Sequence, residues 1–278
     1  MDEKRKIRMV AFDLDGTTLT SGGVLSEGNR LAMEKANAAG VYVVPATGRV
    51  KEFLPRSLTE LPFIRYVITS NGASVWDLHE NRCIGTKLIP VQTALEAQKI
   101  FDEFDLYIEY YVNGRAVALT GSPERARNNP DFPAAKHRFL VKDYIYVDDL
   151  SEYLMCEQVE VEKLNLMYIP DVIRDAFVEK ISKVEGLALT YSNVDNMEIH
   201  AADCHKGAGL HMLCDALQLD PAEVMAIGDN GNDLGMLREV GLAVAVDNAI
   251  DEVKAVCGTV VADYREDGFA EAVERFAL

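Results

Sequence analysis

The 278 residues are 49% hydrophobic and 26% charged, the composition of a soluble globular protein with enough apolar residues for one large core or two smaller ones. A formal net charge of −17 argues against a role on nucleic-acid backbones or anionic lipid, both of which need clustered Lys and Arg. Small anions stay within reach, because screening confines the repulsion to roughly 8 Å and a single lysine or metal can dominate inside a cleft.

In chain order, Met9 to Phe12 is a short apolar strand that runs into Asp13 and Asp15. Ser26 is the expected N-cap of a helix through Ala39, with Gly40 at its C′ position. VYVVPATGR supplies a second buried strand and YVITS a third, so strand, helix and strand follow the rhythm of a parallel sheet. Asn71-Gly72, between VITS and ASVW, has the composition of a hairpin turn. The middle of the chain reads differently: helical periods at 91–104 and 171–184 alternate with strand-like pieces such as LYIEYYV, AVALT, LNLMYI and LALTYS. From about 220 the parallel-sheet style returns with VMAIGD, a helix in NDLGMLREV, LAVAV, a helix in AIDEVKAVC, TVVA and an amphipathic GFAEAVERFAL. The expectation is an α/β protein: residues 1–86 and 194–278 form a doubly wound parallel-sheet core, and residues 87–193 an inserted α+β domain.

Ligands of open α/β sheets bind beyond the carboxyl ends of the strands. That rule gathers Asp13 and Asp15, then Thr47, Gly48 and Arg49, then Asp229, Asn232 and Asp233 at one edge. Lys206 opens a helix, where backbone N–H groups add to its positive charge. Asp13 and Asp15 share a strand face, so their repulsion needs a cation between them or a proton on one. Asp13, Asp15 and Asp229 are all-oxygen candidates for Mg²⁺, and Thr47 and Lys206 suit the phosphate oxygens that would complete its sphere. A metal, a phosphate and a spare carboxylate together suggest phosphoryl transfer with an aspartate nucleophile. A calcium-hand reading fails, because the twelfth positions counted from Asp13 and Asp229 are Val24 and Val240. His211 with Cys214, near Cys204 and His205, lacks the second ligand pair of a zinc site.

The runs Asp13-Leu14-Asp15-Gly16-Thr17, Ala46-Thr47-Gly48-Arg49, Lys206 and Gly228-Asp229-Asn230-Gly231-Asn232-Asp233 resemble, in order and spacing, the four signature motifs of the haloacid dehalogenase (HAD) superfamily of phosphatases. The chain is similar to the Cof-type branch, with a C2B-type cap inserted between the second and third motifs; the Asn71-Gly72-Ala73 turn and the tail from Glu266 to Ala272 share that likeness. The resemblance implies that Asp13 attacks phosphorus, and that Asp15, protonated at first, serves as general acid and then base and gives the metal its backbone carbonyl. It further implies that Asp229 binds Mg²⁺, that Thr47, Gly48, Lys206 and Asn232 hold the phosphoryl group, and that Asp233 orients Lys206 or a metal-bound water. Arg49 and Asn71 fall at the substrate or cap boundary. The Asp247-Asn248-Ala249 turn departs from the glycine usual in the family before that asparagine.

Only 33 residues separate Asp13 from Thr47, room for a flap near TLTSGG and one helix, whereas 158 separate Thr47 from Lys206, so the inserted domain is the expected source of substrate specificity. The reading is a Mg²⁺-dependent hydrolase of small phosphomonoesters, sugar phosphates first. Alternatives are a phosphomutase or phosphotransferase of the same superfamily, or a non-catalytic ligand-binding regulator on the same fold. The five cysteines (Cys83, Cys156, Cys204, Cys214, Cys257) form no CxxC pair and are odd in number, the N-terminus is charged, and no apolar run reaches the ~18 residues of a membrane helix. A cytoplasmic protein with a small phosphorylated partner, and with no nucleic-acid or membrane partner, is therefore expected; oligomeric state is open.

Overall fold

The computed structural model describes residues 6–20, 22–140, 143–191 and 195–278. The charged N-terminus, part of the TLTSGG flap and the expected domain boundary at 193/194 therefore lie wholly or partly outside the described residues. The strands are β1 (Met9–Phe12), β2 (Tyr42–Pro45), β3 (Tyr66–Thr69), β4 (Ser74–Asp77), β5 (Arg82–Thr86), β6 (Ile108–Val112), β7 (Arg115–Leu119), β8 (Ile145–Val147), β9 (Lys163–Leu166), β10 (Leu187–Thr190), β11 (Met197–Ala201), β12 (Val224–Gly228), β13 (Leu242–Val246) and β14 (Thr259–Val261). The chain divides into two compact units: Met1–Arg49 with Phe53–Thr86 and His205–Leu278, and Val50–Glu52 with Lys87–Cys204.

The first unit holds a five-stranded parallel sheet in the order β14-β13-β12-β1-β2. Its centre is β1, whose four residues are all fully buried, as a strand covered on both faces requires. Phe12 packs against Phe269 of the C-terminal helix Gly268–Phe276, with ring centroids 4.8 Å apart, so the amphipathic tail closes one face of the sheet. The helix Glu27–Ala38 starts and stops where its caps direct: Ser26 Oγ accepts from Asn29 N at 3.1 Å, and Gly40 takes φ +80°.

The strand YVITS departs from the expected parallel sheet. It is β3 of a separate antiparallel sheet, β3-β4-β5, joined to the region after β2 by one parallel bridge, Ala46 to Ile68. The Asn71-Gly72 turn returns the chain directly, so β3 pairs with β4 instead of extending the larger sheet.

The second unit is a six-stranded, mainly antiparallel sheet in the order β10-β11-β9-β6-β7-β8. It extends to Cys204, so β11 pairs here with β9 and β10 rather than belonging to the parallel-sheet core as the expected boundary had it. Tyr110 of LYIEYYV faces the helices Val91–Phe101 and Asp171–Ile181, packing on Phe101 (6.5 Å, edge-on), which stacks on Phe177 (5.7 Å). The alternate residues carry a buried polar network. Glu109 accepts from the hydroxyls of Tyr107, Tyr111 and Tyr144 and from Asn165, and Lys163 pairs with Glu198 at 2.7 Å. Among the described residues no helix is long and apolar enough to cross a membrane.

Candidate active site

Four neighbouring strands of the parallel sheet deliver polar residues at their carboxyl ends: Asp13 after β1, Thr47 after β2, Asp229 after β12 and Asn248 after β13. Asp13 is buried at 6% exposure, with its backbone N–H on Ile227 O (3.0 Å) and its carbonyl taking the Thr18 hydroxyl (2.8 Å). Lys206, fully buried at the start of the helix Lys206–Leu217, donates from Nζ to Asp13 Oδ1 (2.5 Å) and to Asp233 Oδ1 (2.7 Å). The other Asp233 oxygen accepts the backbone N–H groups of Asp229 and Asn230, each at 3.0 Å, and so shapes the loop that carries Asp229. Lys206 is therefore anchored to carboxylates on two sequence motifs.

Among the described residues, Asp13, Asp229 and Asp233 are the one group of His, Cys, Asp or Glu whose ligand atoms gather within 4.8 Å of one another. Three carboxylates against one ammonium leave a surplus of two negative charges, which suits a divalent cation, and an all-oxygen donor set suits a hard one. The electrostatics reflect the crowding. Burial, reinforced by Asp233 against the relief of the Thr17 hydrogen bond, pushes the Asp229 carboxyl up to about 6. Burial likewise raises Asp13 well above the carboxylate range despite Lys206, and Asp13 and Asp233 outweigh the desolvation of Lys206 and raise it.

The Asp15 carboxylate is not in this group. It is half exposed and held by Arg49, whose Nε and Nη2 reach its two oxygens at 2.7 and 2.5 Å. The side chains that gather are thus Asp13, Asp229 and Asp233, whereas the contribution to a metal expected of Asp15 was its backbone carbonyl. The two Arg49 contacts on Asp15 form a bidentate guanidinium–carboxylate pair. Arg49, expected at a domain boundary, is its partner.

Thr47 and Asn232 are brought into the same web through Asn71. Asn71 donates its N–H to Thr47 O (3.0 Å) and accepts from Asn232 Nδ2 at Oδ1 (3.2 Å), while Thr47 Oγ1 accepts from Arg49 N (3.2 Å). Ser70 and Asn71 both lie in the left-handed region, at φ +52° and +56°, before Gly72 at +98°. A Cβ on Gly72 would collide with the His205 carbonyl, so the tight hairpin presses directly on the start of the Lys206 helix. Gly48 lies between Thr47 and Arg49 on the same loop.

Two contributors were not assigned roles from the sequence. The Thr17 hydroxyl donates to Asp229 Oδ1 at 2.7 Å, fixing that carboxylate across the sheet edge. Asn248 donates from Nδ2 to Gly16 O (2.7 Å) and accepts Tyr264 N (3.1 Å), clamping the Asp13–Thr17 turn. Gly16 is at φ +93°, and a Cβ there would sit 2.7 Å from Asp229 Oδ2. The strand-end rule, applied once more to LAVAV, points to Asn248. Replacing Asn248 with Ala is expected to lower kcat on the order of 10- to 100-fold with a much smaller change in KM, because it loosens a turn without touching a ligand; steady-state kinetics with any turned-over phosphate ester checks this. The zinc reading finds no support: His205 caps its helix through Ala208 N (3.2 Å), and His211 pairs with Glu239 (2.9 Å).

A family model of haloacid dehalogenase-like hydrolases matches residues 10–273. This chain belongs to that family. It is a HAD-superfamily phosphatase of the Cof type, an enzyme that hydrolyses phosphoric monoesters. It is 30% identical over 274 residues to the 5-amino-6-(5-phospho-D-ribitylamino)uracil phosphatase YcsE of Bacillus subtilis, covering 98% of this chain and 96% of that one. It is 28% identical to the pyridoxal phosphate phosphatase YbhA of Escherichia coli, over 96% and 97% of the two chains. Among solved structures, TM0651 from Thermotoga maritima superposes with a TM-score of 0.80 at 26% identity, over 98% of each chain.

Proposed function

We propose that this HAD phosphatase hydrolyses a small, soluble phosphorylated metabolite, a sugar or sugar-alcohol phosphate first, through an aspartyl-phosphate on Asp13. The observation that carries the reading is Asp13 itself: a buried carboxylate with Oδ1 fixed by Lys206 and, among the described residues, no hydrogen bond to Oδ2. An oriented carboxylate with one oxygen available is a nucleophile ready for in-line attack. An Asp13 oxygen forms a bond to phosphorus as the ester P–O bond breaks, and Asp15 gives the leaving oxygen its proton. Arg49 holds both Asp15 oxygens, so it must release one of them before Asp15 can act on the leaving oxygen. Asp15 then takes a proton from water as the water oxygen bonds to phosphorus, and the Asp13–phosphorus bond breaks to release inorganic phosphate. Lys206 and Thr47 neutralise and hold the phosphoryl oxygens, and Asn232, held by Asn71, borders the same space.

Asp13 and Asp229, with Asp233 beside them and the Asp15 carbonyl on the same turn, are the residues that would hold Mg²⁺. The ion supplies charge neutralisation for the phosphoryl group. Its affinity should depend on pH in a defined sense. Folded Asp229 keeps a proton between the ordinary carboxylate value of 3.8 and about 6, where the unfolded chain has released it. Without metal, stability then falls as pH rises through that window. Metal needs the ionised form, so the rise in melting temperature on adding Mg²⁺ is expected to be larger at about pH 7.5 than at about pH 5. Thermal melts at both values check the sign; an equal or reversed effect would remove Asp229 from the ligand set.

The experiment that tests the function is phosphate release from a panel of sugar phosphates, sugar-alcohol phosphates, nucleotides and cofactor phosphates, with Mg²⁺ and with chelator. Metal-dependent release with a preference for the first two groups supports the reading. Phosphate retained on an organic acceptor would indicate a phosphotransferase, and nucleotide preference would overturn the substrate class.

A further inference from the structure

The inserted unit carries two adjoining recesses of about 420 and 480 Å³, open mouths included, at the end of its sheet where β6 begins and where β7 and β9 finish. The chain enters the unit at the opposite strand ends, where Glu52 N donates to Gly114 O (3.0 Å) and Ile89 pairs with Val161. The recesses share Asp105, Leu106, Ser122 and Arg125. Ser122 is only 7% exposed, and its hydroxyl is buried with no hydrogen-bond partner. A buried hydroxyl without a partner is costly, and Ser122 is part of the wall of both recesses.

The flanking groups define that ligand. Among the described residues the Arg125 side chain makes one hydrogen bond, from Nη1 to Thr120 O at 3.3 Å, and neither it nor Asp105 has an ion-pair partner. Asp102 lines the larger recess beside them and accepts from Gln98 at 2.6 Å. One cation and two anions disfavour a dianionic phosphate, whereas a carboxylate that brings its own ammonium is matched. Apart from Gln98, the rest of the larger recess is apolar, with Phe101, Phe104, Ile108 and Leu150 on its walls.

We propose that this recess binds a small zwitterion with an apolar side chain, the chemistry of an apolar α-amino acid. Its carboxylate lies on Arg125 and the Ser122 hydroxyl, its ammonium on Asp105, and its side chain between Phe101, Phe104 and Leu150. The proposal does not rest on the phosphatase mechanism.

Isothermal titration of the intact protein with L-leucine and L-phenylalanine tests it, with 4-methylpentanoate and 3-methylbutylamine as ligands that each keep one charged group. Both amino acids should bind, each half-ligand at least about tenfold more weakly, and Arg125→Gln and Asp105→Asn should each weaken the amino acids by about tenfold or more. Melting temperature and phosphate release should stay at wild-type values in both variants, and saturating inorganic phosphate should not displace the amino acid. If a variant fails to fold, the comparison of whole and half ligands on the wild type decides. Absence of binding up to about 10 mM, equal binding of the half-ligands, retention in both variants, or displacement by phosphate would overturn the proposal.

Discussion

Asp13→Asn should retain the fold and lose phosphate release by on the order of 10⁴-fold or more. The amide keeps a carbonyl oxygen to accept from Lys206 Nζ, so the 2.5 Å contact survives in kind and the melting temperature should stay close to wild type. What disappears is the oxygen that, in the proposed mechanism, bonds to phosphorus. Kinetics of phosphate release beside a thermal melt separates the two effects: a folded variant with near-normal turnover would exclude Asp13 as nucleophile, whatever the remainder of the site does. The contrast with Asn248→Ala is informative, since that change acts on the same turn from outside and should leave substantial activity.

The second large effect falls on stability. Lys206→Met keeps the length of the side chain but strands Asp13 and Asp233 in a buried site without their shared cation. Breaking a buried ion pair from one side costs about 3–5 kcal/mol. The loss has a pH signature. Without the ammonium, the folded-state pKa of Asp13, already raised by burial, moves further up, so the folded state holds protons that the unfolded chain has released. Stability of the variant should therefore fall as pH rises above the ordinary carboxylate value, and the deficit relative to wild type should be small in acid and large at neutral pH. Denaturant titrations across that range measure it; a deficit independent of pH would mean that Lys206 contributes packing rather than charge.

Much of the parallel-sheet unit was legible because its signals are local. Ser26 and Gly40 bracket a helix by capping chemistry, and β1 is apolar throughout because both its faces are covered. The site was legible for a related reason: strand-end residues of a parallel sheet converge whatever the loops do, and Asp13, Thr47 and Asp229 stand at adjacent strand ends. The partners were harder to read. Nothing in the run DLDGT says that Asp15 turns to Arg49, 34 positions away, while Asp233 turns inward to Lys206; that is decided by side-chain geometry across the fold. The strand YVITS was assigned to the wrong sheet because periodicity reports burial and not partner, and the Asn71-Gly72 turn that redirects it competes with the βαβ rhythm. In the inserted unit, strands such as β8, with three residues, and β11, placed by pairing rather than by a pattern of its own, fall below what periodicity resolves. Ser122 and Arg125 share the short helix Ser122–Asn128, which carries too few turns to announce itself in the sequence.

The central claim, covalent phosphoryl transfer to Asp13, is tested most directly by acid-quenching the enzyme during turnover of a good substrate and mapping the protein by mass spectrometry. The account predicts the mass of one phosphoryl group on the peptide that contains Asp13, absent from Asp13→Asn and from enzyme quenched without substrate. Turnover with no modified peptide at any quench time, or a phosphoryl group on another residue, would contradict it.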